Sequence, residues 1–152
     1  MSNIAVREIQ KNDRVQWEQL WTGYNTFYGR HGATTLAQEI TDTTWSRFFD
    51  PTEPVHGLVA EHQGRLVGLA HSLLHRSTTQ LQPNCYLQDL YTSEEARGIG
   101  VGRALIGAVY AFARASGLPR VYWLTHETNA LAMQLYDKVA DRSGFLMYRK
   151  LL

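Results

Sequence analysis

A glycine-rich segment between an apolar strand pattern and an apolar helix pattern carries the strongest chemical signal in this chain. It reads Arg97-Gly98-Ile99-Gly100-Val101-Gly102-Arg103. Because alternating glycines remove side chains where the backbone turns, several N–H groups can point at one anion. The helix that follows adds the positive end of its dipole at the same place. The segment therefore predicts a phosphate-binding loop, with a purely structural turn as the alternative.

Two familiar phosphate-binding motifs do not fit this segment. The loop that binds nucleoside triphosphates ends in Gly-Lys-Ser/Thr, whereas residues 102–104 are Gly-Arg-Ala. The dinucleotide fingerprint Gly-x-Gly-x-x-Gly requires its third glycine one residue later than Gly102. The pattern Arg-x-x-Gly-x-Gly does fit, at Arg97, Gly100 and Gly102. It resembles the pyrophosphate-binding signature of the GNAT superfamily of N-acetyltransferases, which implies acetyl-coenzyme A (acetyl-CoA) as co-substrate. In that resemblance Arg97 and Arg103 are the cationic partners of the phosphates, and solvated surface positions are the alternative.

A second motif lies on the helix predicted to begin near residue 129. It is Asn-x-x-Ala-x-x-x-Tyr-x-Lys, which ends at Lys138. Asn129 and Tyr136 are seven residues apart, so they lie two helical turns apart on one face. The motif resembles the acetyltransferase segment in which both side chains face coenzyme A, and the resemblance implies that Tyr136 protonates the leaving thiolate. A helix cap at Asn129, a core aromatic at Tyr136 and an exposed lysine at Lys138 are the alternatives.

The strand before the loop reads Cys85-Tyr86-Leu87-Gln88-Asp89-Leu90-Tyr91. It resembles the corresponding strand of polyamine acetyltransferases and their close relatives. On that resemblance the main chain of Leu90, Tyr91 and Thr92 pairs with the pantetheine arm, and a backbone N–H is the oxyanion donor. The polyamine enzymes have an acidic residue where this chain has Gln88, which cannot accept a proton. Asp89 is the other candidate base, although strand alternation turns it away unless a β-bulge intervenes. A water relay with Gln88 orienting the substrate, or Asp89 merely bracing the loop, stays open.

Apolar periodicity predicts the elements that position these motifs. Strands are expected over residues 4–9, 56–61, 65–75, 85–92, 121–125 and 144–151, and helices beginning near residues 13, 41, 101 and 129. An antiparallel meander that feeds a βαβ unit is a mixed α/β fold with a curved sheet flanked by helices. This order is similar to the GNAT topology over essentially the whole chain. The resemblance implies a sheet of six or seven strands and about four helices.

Composition limits the classes of partner. The 152 residues are expected to form one domain over residues 1–152, with 44% hydrophobic and 19% charged residues. A net charge of +1 without a basic run gives no case for nucleic acid or an anionic membrane as partner. The single Cys85 excludes an internal disulfide framework, and neither a leader nor a membrane-spanning run is evident. We expect a cytoplasmic, soluble protein.

The sequence predicts less about the acceptor site than about the acetyl-CoA site. In the family that the chain resembles, the first two helices cover the acceptor site, so the resemblance makes the aromatic residues Tyr24, Tyr28 and Trp45 the candidates to line it. No acidic cluster accompanies them, which argues against a highly charged polyamine. No metal site is expected, because His71 and His75 lack a completing Cys or carboxylate cluster.

The sequence thus predicts an acetyl-CoA-dependent N-acetyltransferase. Its acceptor would be a primary amine of a small metabolite such as an amino acid or diamine, attacking directly in a ternary complex. A protein N-acetyltransferase and a non-catalytic acetyl-CoA-binding sensor are the alternatives. The aromatic surface and the terminal strand would permit a homodimer.

Overall fold

A computed structural model describes residues 3–152. The strands are β1 Ile4–Glu8, β2 Val55–His62, β3 Arg65–His75, β4 Asn84–Thr92 and β5 Val121–Tyr122. The α-helices are α1 Arg14–Phe27, α2 Gln38–Arg47, α3 Val101–Ala115 and α4 Ala130–Val139. The strands form one sheet in the order β1-β2-β3-β4-β5, antiparallel except for the parallel β4–β5 pair. The predicted mixed α/β fold, a meander followed by a βαβ unit, is confirmed.

Two apolar clusters cover the sheet. One forms around the buried face of α3, where Leu105, Ile106 and Val109 are at most 1% exposed. The other forms under α1, where Trp17 is fully buried and packs beside Leu69 of β3. Burial of each such side chain contributes about 1.5–3 kcal/mol, so the periodic apolar positions fix both helices on the sheet. Within residues 3–152, no helix is long and apolar enough to cross a membrane.

Glycines in the left-handed region end α1 and α3. Gly117 has φ +71°, and the N–H of Leu118 donates to the carbonyl of Ala113 at 2.9 Å, which is the geometry of a glycine cap. Gly29 has φ +79°, and the N–H of Arg30 donates to the Asn25 carbonyl at 2.8 Å. The second cap therefore directs the chain at Arg30 back across the end of α1.

The structure corrects three predicted elements. The sheet has five strands among the described residues rather than six or seven, because residues 144–151 form no strand and are exposed. A strand requires a neighbour for its backbone groups, and β5 pairs over only two residues. The strand predicted over residues 121–125 is thus shorter than expected, and α2 begins at Gln38 rather than near residue 41.

Candidate active site

The parallel strands β4 and β5 separate after a short contact. They pair only at Cys85–Val121 and Tyr86–Tyr122, whereas β4 continues to Thr92. Residues 87–92 therefore keep one row of backbone N–H and C=O groups without a strand partner on this side, among the described residues. An open strand edge of this kind can pair with an extended amide-containing ligand.

A donor cleft of about 770 Å³ lies along this edge and reaches the amino ends of α3 and α4. Every predicted cofactor residue except Ile99 lines it. These residues are Leu90, Tyr91, Thr92, Arg97, Gly98, Gly100, Val101, Gly102, Arg103, Asn129, Tyr136 and Lys138. The Ile99 side chain is 37% exposed and lies outside the lining. The loop, the strand and the last helix therefore meet around one cavity.

The backbone of the glycine loop has the conformation that the predicted phosphate-binding turn requires. Gly98 and Gly100 have φ of +81° and +95°, in the left-handed region that favours glycine. Gly100 is the N-cap of α3, and no side chain of residues 3–152 caps this end, so the first N–H groups of α3 have no side-chain acceptor where residues 100–103 line the cleft. Arg97 is held by a bond from its Nε to the Thr92 carbonyl at 3.3 Å. Backbone donors and cations therefore converge on one end of the cleft.

The helix α4 brings two polar groups to the opposite wall. Tyr136 contacts the Trp123 ring, with centroids 5.4 Å apart, and burial raises the pKa of its phenol. It therefore stays protonated at neutral pH. Asn129 is the N-cap of α4, but its Nδ2 donates to Thr125 Oγ1 at 3.2 Å instead of its oxygen capping the helix.

A second cavity of about 810 Å³, which we call the acceptor cavity after its predicted role, adjoins the donor cleft. Two of the three predicted acceptor residues, Tyr24 and Tyr28, line both cavities. Trp45 lines neither cavity; its ring packs against Trp17 at 4.9 Å. Gly23 of α1 lies against Tyr91 of β4, and a Cβ at residue 23 would overlap the Tyr91 hydroxyl. Glycine at this position therefore allows the close approach of α1 to β4.

A β-bulge places Gln88 and Asp89 in the wall of the same cavity. Asp89 is opposite His71 and Leu87 is opposite Ser72, so Gln88 has no counterpart on β3. The extra residue interrupts strand alternation. Gln88 is exposed and Asp89 is only 6% exposed, yet both line the acceptor cavity. The β-bulge that Asp89 requires in order to face the site is therefore present.

Asp89 ends a buried chain of hydrogen bonds that sequence reasoning missed. Trp17 Nε1 donates to His71 Nε2 at 3.0 Å, and His71 Nδ1 lies 2.9 Å from Asp89 Oδ2. Because an indole nitrogen can only donate, His71 Nε2 must accept, and its proton is on Nδ1. His71 is thus a neutral donor to Asp89. Burial first, and then the charge of Asp89, raise the pKa of Tyr24.

The donor cleft fits acetyl-CoA. The free edge of β4 matches the amides of pantetheine, and the amide-lined loop beside Arg97 and Arg103 matches the phosphates. The carboxylates Glu94 and Glu95, which would repel phosphate, are exposed and outside the lining.

Other chemistry finds less support in the structure. In the part of the chain that the structure describes, no three His, Cys, Asp or Glu side chains group as a metal site would require. Cys85 is buried, and burial raises the pKa of its thiol, which disfavours a nucleophilic thiolate.

Sequence comparison adds two matches. Residues 15–140 match the model of a family described as the acetyltransferase (GNAT) family. A D-amino-acid N-acetyltransferase of Saccharomyces cerevisiae is 38% identical over 149 residues, which are 97% of this chain and 90% of that relative.

Solved structures of acetyltransferases share the fold. An aminoglycoside acetyltransferase from an uncultured soil metagenomic sample, in complex with trehalose, superimposes with a TM-score of 0.79 at 18% identity, over 98% of this chain and 97% of that one. A ribosomal-protein-alanine N-acetyltransferase from Brucella melitensis gives 0.80 at 15% identity, over 98% and 99%. A probable acetyltransferase gives 0.83 at 20% identity, over 97% of both chains. At these identities the likeness concerns the fold alone.

Proposed function

The chain belongs to the acetyltransferase (GNAT) family, and we propose that it transfers the acetyl group of acetyl-CoA to the primary amine of a free amino acid. The observation that carries this is the meeting of the donor cleft and the acceptor cavity at Tyr24 and Tyr28. An acceptor amine in the second cavity reaches a thioester in the first across these rings. The relative that acts on D-amino acids supports amino acids, D-enantiomers included, as the acceptor class.

Bound acetyl-CoA supplies an activated acyl group, and the residues of the donor cleft hold it. The main chain of residues 90–92 pairs with its extended arm, and one N–H of this edge donates to the carbonyl oxygen as negative charge develops. The loop around Gly100, with Arg97 and Arg103, binds the phosphates.

The proton transfers are assigned to opposite sides of the junction. Asp89 accepts the proton of the acceptor ammonium, and His71 orients it through the Nδ1–H bond. Gln88 orients the amine from the bulge. Tyr136 donates its proton to the departing sulfur, a role supported by a phenol that burial keeps protonated.

An acceptor panel tests the proposed function. Release of free thiol from acetyl-CoA would be measured with D- and L-amino acids, a diamine, an aminoglycoside and a lysine-containing peptide. We expect turnover with amino acids at a kcat/KM at least tenfold above that of the peptide and the diamine. Preference for the peptide would support a protein acetyltransferase instead. Acetyl-CoA binding in calorimetry without turnover on any acceptor would support a sensor.

Residues 1–152 act as one cytoplasmic domain in this proposal, consistent with the single free cysteine.

We also propose a homodimer. The short edge strand β5 and the exposed apolar side chains of residues 145–148 support it, because a second copy would cover both.

A further inference from the structure

The charges around the acceptor cavity are mostly positive. Three arginines line it, namely Arg30, Arg47 and Arg149. Asp89 is the one carboxylate among its described lining residues, and it already accepts a hydrogen bond from His71. Such a wall favours an acceptor that carries an anionic group besides its amine.

Among these arginines, Arg30 has a fixed position. Its Nε donates to Asn25 Oδ1 at 2.6 Å, while Asn25 is 4% exposed and its Nδ2 donates to the Trp21 carbonyl at 2.8 Å. The guanidinium carbon lies 5.7 Å from the ring centroids of both Tyr24 and Tyr28. A hydrogen bond and two aromatic rings thus hold the guanidinium before any ligand arrives.

The outer part of this guanidinium is available. Nη1 and Nη2 of Arg30 have no hydrogen-bond acceptor within residues 3–152, and the side chain lines the cavity. Arg47, by contrast, lies 3.8 Å from a Glu53 oxygen, and Arg149 is exposed without a bonded partner in the described chain. The two free nitrogens of a guanidinium match the two oxygens of a carboxylate.

We propose that Arg30 is the acceptor-carboxylate site of this enzyme and makes it select α-amino acids over amines without a carboxylate. Tyr24 connects the two groups, since Arg30 covers its ring and both Tyr24 and Asp89 line the same cavity. An α-amino acid carries its amine and carboxylate on one carbon, so the carboxylate on Arg30 leaves the amine facing Tyr24 and Asp89. This inference rests on the proposed function.

Each amino acid would be compared with its own amide, in which a neutral carboxamide replaces the carboxylate, and each variant would be compared with the wild type on the same substrate. In Arg30→Gln, KM for the amino acid should rise on the order of 10- to 100-fold, the usual loss for a charge-assisted bidentate bond. KM for the amino-acid amide and for acetyl-CoA should change less than about twofold. Arg30→Lys keeps the charge but not the fork, so we expect an intermediate rise. Arg65→Gln removes an exposed arginine outside both cavities and serves as the charge control.

The outcomes separate the two proposals. If the wild type acetylates amino acids but KM rises equally for the amino acid and its amide in Arg30→Gln, the carboxylate site would be overturned and the proposed function would not. An unchanged acid-to-amide preference in both Arg30 variants would do the same. A wild-type enzyme that acetylates no amino acid would overturn the proposed function and this inference with it.

Discussion

Trp17 determines which ring nitrogen of His71 carries the proton, and therefore that His71 donates to the proposed base Asp89. The indole N–H occupies His71 Nε2, so the imidazole can only donate to Asp89. This bond occupies one lone pair of Asp89 Oδ2, so the carboxylate keeps other oxygen lone pairs that can accept the proton of an ammonium. The buried hydrogen-bond chain therefore orients Asp89 while leaving it chemically available.

Replacing Asp89 with asparagine separates catalysis from bracing. The amide of Asp89→Asn can still accept from His71 Nδ1, but it cannot take a proton, so we expect kcat to fall by about 10² or more. Thermal unfolding should show a small change in Tm. Glu39→Gln, an exposed carboxylate outside both cavities, is the control. Retained kcat with a clearly lowered Tm would assign Asp89 to bracing.

Tyr136 should control the leaving-group step and its pH dependence. Tyr136→Phe removes the proton donor, so kcat should fall by about 10²-fold while KM for acetyl-CoA changes little. Because burial raises the pKa of Tyr136, the protonated acid persists as pH rises through the ordinary tyrosine pKa of about 10. Activity dependent on this group is lost only above the raised pKa. Wild-type kcat in the variant, with the chemical step rate-limiting in single-turnover measurements, would remove the assignment.

At the scale of elements, local patterns were sufficient for the donor cleft. Glycine spacing, a seven-residue interval on α4 and a strand before the loop depend on neighbours in sequence, and their residues meet in one cavity. The acceptor cavity depends on a bulge at Gln88 and on the close approach of α1 to Tyr91. The alternation of apolar and polar residues does not reveal a β-bulge, so the sequence leaves the orientation of Asp89 open. A single arginine such as Arg30 belongs to no periodic pattern, so the sequence does not identify it.

The glycine loop offers a matched pair of substitutions within one helix region. Gly100→Ala forces a side chain into φ +95°, at a cost of about 1–2 kcal/mol, and turns the N–H groups away from the phosphates. We expect a lower free energy of unfolding and a higher KM for acetyl-CoA. Gly107 lies inside α3 with no described atom within 4 Å of an added Cβ. Gly107→Ala should therefore stabilise the protein by up to about 1 kcal/mol without changing that KM.

The contrast between the two glycines is measured by chemical denaturation and by KM for acetyl-CoA. Equal effects of both alanines on KM would show that the backbone conformation at Gly100 has no part in cofactor binding.

At the scale of the whole molecule, β5 is the last strand of the sheet, and apolar residues that follow it in the described chain add no further strand. Residues 144–151, where apolar periodicity predicts a terminal strand, are exposed in the structure: Phe145 is 90% and Tyr148 92% exposed. The apolar residues of this segment are typical of a strand. Whether a neighbouring strand edge is available for pairing depends on the assembly. This is the part of the fold that one chain's pattern cannot supply.

The proposed dimer would cover this segment, and its dissociation would have a measurable consequence for catalysis. Light scattering should give twice the 17.3 kDa of one chain, and the double variant Phe145→Ser/Tyr148→Ser should return it to the mass of one chain. Leu81→Ser removes an equally exposed apolar side chain, 92% exposed in the loop before β4, and should leave the mass doubled. Because Met147 and Arg149 line the acceptor cavity, dissociation should raise KM for the acceptor while KM for acetyl-CoA stays unchanged. A wild-type mass of one chain at micromolar concentration would contradict the dimer, since it would show that these side chains stay exposed in solution.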